Sequence, residues 1–195
     1  MIKFFRYHST HCFFLNNKSG DQWLAIDAGW PCTFQEYRHN LKNLNIKIDE
    51  LNYLIVTHFH LDHAGLLGEL QKTQTVPLVL DFQLPYIDDM ERTILKNKNY
   101  IEYKRIDMLG LHALTLEMLN QRLAEAGFPV HVETADAHSP DHICLITDQG
   151  EAIIGDLPPI NQIMPDDEKG TENWTRILSR GVSVIYPSHA EQFCL

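Results

Sequence analysis

The chain has no C-x-x-C pair; its four cysteines, Cys12, Cys32, Cys144 and Cys194, lie scattered over 195 residues. A chain of this length with 44% hydrophobic residues builds a core without a disulfide framework, so reduced thiols in a cytoplasmic protein are expected. Basic residues are few: 16 Lys and Arg stand against 26 Asp and Glu, a formal net charge of -10. That balance argues against a general grip on nucleic-acid backbones, which rewards dense positive charge. No apolar run approaches the ~18 residues of a membrane span. Lys3, Arg6, His8 and His11 interrupt the first fifteen residues, which makes them a poor signal peptide. Low-complexity stretches and domain linkers are also missing, so one domain over 1–195 is expected.

What is present is a series of short apolar runs separated by turn residues. Ile2–Tyr7, Cys12–Asn16 and Trp23–Asp27 read as strands, the last closed by Gly29 and Pro31. Thr33 precedes a helical pattern from Phe34 to Leu44. Leu51–Thr57 is nearly continuous in apolar residues, as for a strand covered on both faces. A helix over Ala64–Gln71 and a buried strand over Val76–Asp81 follow. The stretch 82–128 is longer and more polar, with its clearest helix over Leu114–Ala126, ended by Gly127 and Pro129. Strands at Val130–Thr134, His142–Thr147 and Ala152–Ile154, a helix at Glu172–Ser179 and a strand at Val182–Tyr186 complete the pattern. Alternating strands and helices, with hairpins at both ends, predict an α/β protein of two mixed sheets sandwiched between helices.

Eleven histidines is a high count, and four ligand-type side chains fall within six residues of one another. The segment Thr57-His58-Phe59-His60-Leu61-Asp62-His63-Ala64-Gly65 sits between the apolar strand and the next helix. His58 and His60, two apart in an extended turn, can face one point, while Asp62 and His63 on the bend can face a second. Imidazole nitrogens and a carboxylate oxygen are the donors that catalytic zinc accepts, with coordination places left for water.

The run H-x-H-x-D-H after an apolar strand resembles the signature of the metallo-β-lactamase superfamily, and further motifs resemble it in order along the chain. Ala135-Asp136-Ala137-His138-Ser139-Pro140-Asp141-His142 is similar to its third motif, usually close to T-P-G-H-T-P-G-H. Ile154-Gly155-Asp156 resembles the strand-end Gly-Asp, Tyr186-Pro187-Ser188-His189 the last motif, and Asp27 in Ile26-Asp27-Ala28-Gly29 an early supporting Asp. The resemblance covers about residues 24 to 190. It implies a four-layer αββα sandwich and two metal ions, zinc by expectation with iron or manganese as alternatives. By the same resemblance His58, His60 and His138 hold one metal, Asp62, His63 and His189 the other, and Asp156 bridges them. His142 could take the place of His138; His138 is favoured because His142 begins the next strand. The motif departs from the family pattern at Ala135, Asp136, Ala137 and Asp141, changes that bear on loop shape and on how stiffly the ligands are held.

Two such metals imply a hydrolase whose nucleophile is a metal-bridging hydroxide, with Asp62, or secondarily Asp156, accepting or passing a proton. Because β-lactam-cleaving members typically lack the Gly-Asp, and the chain ends six residues after His189, the expected substrate is a small ester, thioester or lactone. A phosphodiesterase or nuclease on the same metals, and a non-catalytic metal-dependent ligand sensor, are the alternatives. Within 82–128, the residues Arg92, Lys96, Lys98, Lys104 and Arg105 carry a local basic bias beside Tyr100 and Tyr103. They form either a solvated helix face or a wall that recognises an anionic small-molecule substrate. Tyr86, Tyr100 and Tyr103 are candidate oxyanion donors. Nucleic acid and membrane are not expected partners, and a homodimer is compatible with the sequence.

Overall fold

The computed structural model describes residues 2–111 and 113–195; His112, within the 82–128 stretch, lies outside the described residues. In chain order the elements are β1 (Lys3–Tyr7), β2 (Thr10–Asn16), β3 (Trp23–Ile26), α1 (Phe34–Asn43), β4 (Leu51–Ile55), α2 (Leu61–Ala64), α3 (Leu67–Leu70), β5 (Val76–Pro77) and β6 (Val79–Leu80). Then follow α4 (Leu84–Lys96), β7 (Ala113–Leu114), α5 (Leu116–Glu125), β8 (Val130–Thr134), β9 (Ile143–Thr147), β10 (Glu151–Gly155), α6 (Glu168–Ser179), β11 (Val184–Pro187) and β12 (Phe193–Cys194). Short 3₁₀ turns join several of them.

Two mixed five-stranded sheets face each other, ordered β1-β2-β3-β4-β5 and β12-β11-β10-β9-β8. Their period-2 alternation decides the layering. On β2, Phe13 and Leu15 point into the space between the sheets, where they meet Leu24, Ile26 and Ile55 of the first sheet and Val132, Leu145 and Ile153 of the second. Cys12 and Phe14 point the other way, against Tyr37 and Leu41 of α1 and Ile87 and Ile94 of α4. On the second sheet, Cys144, Ile146, Ala152 and Ile154 turn outward onto Trp174 and Ile177 of α6. Helix, sheet, sheet and helix thus form a four-layer αββα sandwich. Helix α5 adds Leu119 and Leu123 to the inter-sheet core.

Several boundaries differ from the sequence pattern for physical reasons. The expected strand Val76–Asp81 breaks at Leu78: β5 pairs with β4, whereas β6 leaves that sheet and pairs in parallel with β7. Leu114 therefore belongs to a strand, and α5 starts two residues later, where the Thr115 hydroxyl accepts a hydrogen bond from Met118 N at 3.2 Å. The expected helix Ala64–Gln71 begins earlier and is split into α2 and α3. Gly65 lies at the break, where a Cβ would collide with Leu61 O and the Pro31 ring. Helix α6 starts one turn before the expected Glu172, because the Asp167 carboxylate caps it through Gly170 N at 2.8 Å. The short β12 carries no sequence signal of its own; it is held by register with β11. Among the described residues, no helix is long and apolar enough to cross a membrane.

Candidate metal centre

The expected ligands leave the sheets at one end of the sandwich. Asp27 follows β3, the segment 57–63 follows β4, His138 lies in the β8–β9 loop, Asp156 follows β10 and His189 follows β11. Backbone bonds stitch these ends together across the two sheets, from Ile143 N to Thr57 O at 2.9 Å and from His11 N to Ser188 O at 2.8 Å.

Two groups of donor atoms result. In the first, His58 Nε2 and His60 Nδ1 are 2.9 Å apart and His138 Nε2 is 3.4 Å from His60 Nδ1. Asp156 Oδ2 lies 3.8 Å from His58 and 3.7 Å from His138. In the second, His63 Nε2 and His189 Nε2 each lie 3.4 Å from Asp62 Oδ2, and they lie 3.3 and 3.1 Å from Asp156 Oδ1. Asp156 thus turns one oxygen to each group. Both groups could hold a metal ion, since their donor atoms lie within 4.8 Å of one another. A tetrahedral ion with nitrogen and oxygen donors at about 2.0–2.1 Å separates its ligands by about 3.3–3.4 Å, the spacing the second group already has. His63 Nε2 and Asp156 Oδ1 are moreover buried without a hydrogen-bond partner, a costly state that a cation between them relieves. The residues fit a pair of divalent ions.

Each donor is aimed by a partner behind it. The Asp27 carboxylate accepts from Thr57 N at 2.7 Å and lies 2.9 Å from His63 Nδ1, leaving His63 Nε2 free to face the site. Asp27 and Thr57 are both fully buried. The Thr57 hydroxyl bonds Asp27 and lies 3.1 Å from His58 Nδ1, so it sets that ring as well. His189 Nδ1 faces Ser9 O at 2.8 Å, and Thr10 donates to Asp62 Oδ2 at 2.8 Å.

His142 is turned away from both donor groups. Its Nε2 accepts from the Asp156 amide at 3.1 Å, so it positions the carboxylate between the groups. A Cβ on Gly155, whose φ is +55°, would sit 2.5 Å from that nitrogen, so glycine both adopts the left-handed turn and leaves room for the ring. Two further residues clamp the His138 loop. Asn173 of α6, 1% exposed, accepts from Ala137 N and donates to Asp136, which also pairs with Lys169. Asp141, 2% exposed, accepts from Phe59 N and from the Ser139 hydroxyl, each at 2.7 Å. Asp141 and His142 were visible in the motif, but their partners lie far away in sequence; Thr10 and Asn173 carry no local signal.

The electrostatics match a cavity that attracts positive charge. Burial alone lowers the His63 imidazole, yet the carboxylates of Asp27 and Asp156 outweigh it and hold the ring up to about 10. The Asp156 carboxylate, 3.1 Å away, likewise raises His189. Burial opposes ionisation of Asp156, but His189 and His63 overcome it and keep its carboxyl well below the usual range. His58 and His142 are instead pushed down, first by burial and then by neighbouring imidazoles, His142 to about 3. Neutral rings of that kind present lone pairs.

The basic residues of the 82–128 stretch are placed differently. Arg92 pairs with Asp89, and Arg105 Nε meets Glu91 Oε2 at 2.7 Å. Lys96, Lys98 and Lys104 are exposed. The Tyr103 hydroxyl donates to Glu91, and the residue is buried.

Known proteins share parts of this sequence and its fold. Residues 6–81, which include His58 to His63, match the model of the metallo-β-lactamase superfamily. A curated relative, "Probable metallo-hydrolase YflN" of Bacillus subtilis (strain 168), is 24% identical over 140 residues; the match covers 67% of this chain and 53% of the relative, about half its length. Among solved structures, the metallo-β-lactamase family protein TTHA1429 of Thermus thermophilus superposes with a TM-score of 0.70 at 14% identity, over 99% of this chain and 74% of that one. TTHA1623, solved in a di-iron-bound form, gives a TM-score of 0.72 at 17% identity, over 100% and 94% of the respective chains. The chain has the fold of these metallo-β-lactamase family structures, and its first part, residues 6–81, is similar to the superfamily's model.

Proposed function

We propose that the protein is a dinuclear metal-dependent hydrolase of a small ester, thioester or lactone. The observation that carries this reading is Asp156, whose two oxygens face separate ligand groups 3.1–3.8 Å away. His58, His60 and His138 would hold one ion, and Asp62, His63 and His189 the other. When bound, such a pair supplies a water of lowered pKa and a Lewis acid for the scissile carbonyl. The chain's own residues do the rest. Asp62, whose carboxylate accepts from the Thr10 hydroxyl, would take up a proton and return it to the leaving group. Asp156, fixed by His142 through its amide, holds the two groups in register.

Zinc suits the mixed imidazole and carboxylate donors; iron, the metal in TTHA1623, and manganese suit them as well. The free cysteines Cys12, Cys32, Cys144 and Cys194 support a reducing, cytoplasmic setting. The test is elemental analysis of metal-replete protein together with a panel of acyl thioester, lactone and bis-nitrophenyl phosphate substrates. About two ions per chain and turnover of the carbonyl substrates are expected. Less than about 0.5 ion per chain, or turnover of the phosphodiester alone, overturns the reading.

A further inference from the structure

A cavity of about 470 Å³ opens beside the ligand groups, with His60 and Asp62 on its floor. Its size is in the range of small-ligand pockets, about 300–1,000 Å³. Helix α4 forms one wall, contributing Tyr86, Met90 and Thr93, and the ligand loop contributes Phe59 and Leu61. The charge of this cavity is the informative feature. Among the described residues no lysine or arginine lines it; its only charged wall residues beyond the floor are Asp89, paired with Arg92, and Asp141. Asp141 is buried, with both oxygens engaged by Phe59 N and Ser139. A carboxylate or phosphate seated against the α4 wall loses its hydration and gains no lysine or arginine partner there, since the Arg92 guanidinium is already paired with Asp89. An alkyl chain, by contrast, displaces water from Phe59, Leu61, Tyr86 and Met90.

We infer that this cavity is a specificity pocket for an uncharged, apolar acyl group, and that α4 selects against anionic substrates. The inference rests on the hydrolase reading for its reaction, and on the cavity alone for its selectivity. Each methylene buried in the pocket raises kcat/KM about fourfold, so two raise it about 15-fold.

The test uses N-acetylcysteamine thioesters of butanoate, hexanoate and succinate with the metal-loaded protein. Hexanoyl is expected to exceed butanoyl by about 15-fold in kcat/KM, with succinyl below both. Thr93→Lys, an exchange at an exposed position of α4, places a cation on the wall; it should raise succinyl relative to butanoyl by roughly fivefold. Equal rates for all chain lengths, or succinyl as the preferred substrate of the unmodified protein, overturn the inference. A binding arm separates selectivity from turnover: calorimetry with hexanamide and with succinamate. Tighter binding of hexanamide without hydrolysis of these thioesters or of the corresponding esters and lactones leaves the pocket standing and removes the hydrolase reading. Binding of neither compound, or tighter binding of succinamate, removes the pocket.

Discussion

The Asp141 carboxylate accepts a hydrogen bond from the Phe59 amide at 2.7 Å, joining residues 82 positions apart in the chain. Phe59 lies between His58 and His60, and Asp141 lies three residues beyond His138, so this one bond fixes two ligand loops relative to each other. The Gln83 side chain extends the clamp, donating to Val56 O at 3.3 Å and to Asp141 O at 3.0 Å. Gln83 immediately precedes α4, so the cavity wall is keyed to the same point. Where the motif that this segment resembles usually has glycine, this chain has a buried connector.

Asp141→Ala leaves the buried Phe59 amide without an acceptor. It should lower unfolding free energy by about 1–3 kcal/mol, and weaken metal binding by about 10–100-fold. Urea denaturation and chelator competition measure the two effects. Lost stability with unchanged metal affinity would mean that the clamp serves the fold alone.

His138 and His142 make opposite predictions. His138→Ala removes a donor from the first group and should reduce bound metal from two ions per chain towards one. His142→Gln keeps an acceptor near the Asp156 amide and should retain both ions. Elemental analysis of dialysed protein decides, and the reverse result would exchange the roles of the two histidines.

The metal-free protein should lose stability as pH rises from about 6.5 to about 10. Burial pulls His63 down, but Asp27 and Asp156 hold it up to about 10 in the folded chain. A raised imidazole favours the folded state fully below the unfolded value of about 6.5, and that contribution is gone above the folded value. Metal must displace the same proton, so affinity should increase with pH across the same window. Urea midpoints of chelator-treated protein between pH 6 and pH 10 test the slope, with Asp27→Asn as control. A rising slope, or the same slope in Asp27→Asn, contradicts the account.

Much of the architecture was legible in the residues because its causes are local. The apolar run Cys12, Phe13, Phe14 and Leu15 reads as a strand, and the structure buries both of its faces. The spacing of His58, His60, Asp62 and His63 is a property of one turn, so their convergence could be read there. Val76–Asp81 shows where local reading stops: the composition is that of one strand, but its second half finds a better partner in β7.

The candidate metal centre divides along the same line. The donor types, and which of them sit on one loop, are properties of the sequence, because a histidine or carboxylate brings its lone pairs wherever it goes. Tertiary structure decided which atoms face inward. Thr57 and Asp27 set the rings of His58 and His63, His142 faces Asp156 and not the donor groups, and Asp141 closes the ligand loops upon each other. The basic residues of 82–128 illustrate the same limit, since their excess is plain in the composition while the carboxylates that pair with Arg92 and Arg105 are not. Hydrogen bonds such as those between Thr57 and Asp27, 30 positions apart, and between Phe59 and Asp141, 82 apart, depend on how the chain folds back on itself, and no periodicity or spacing along the chain records that.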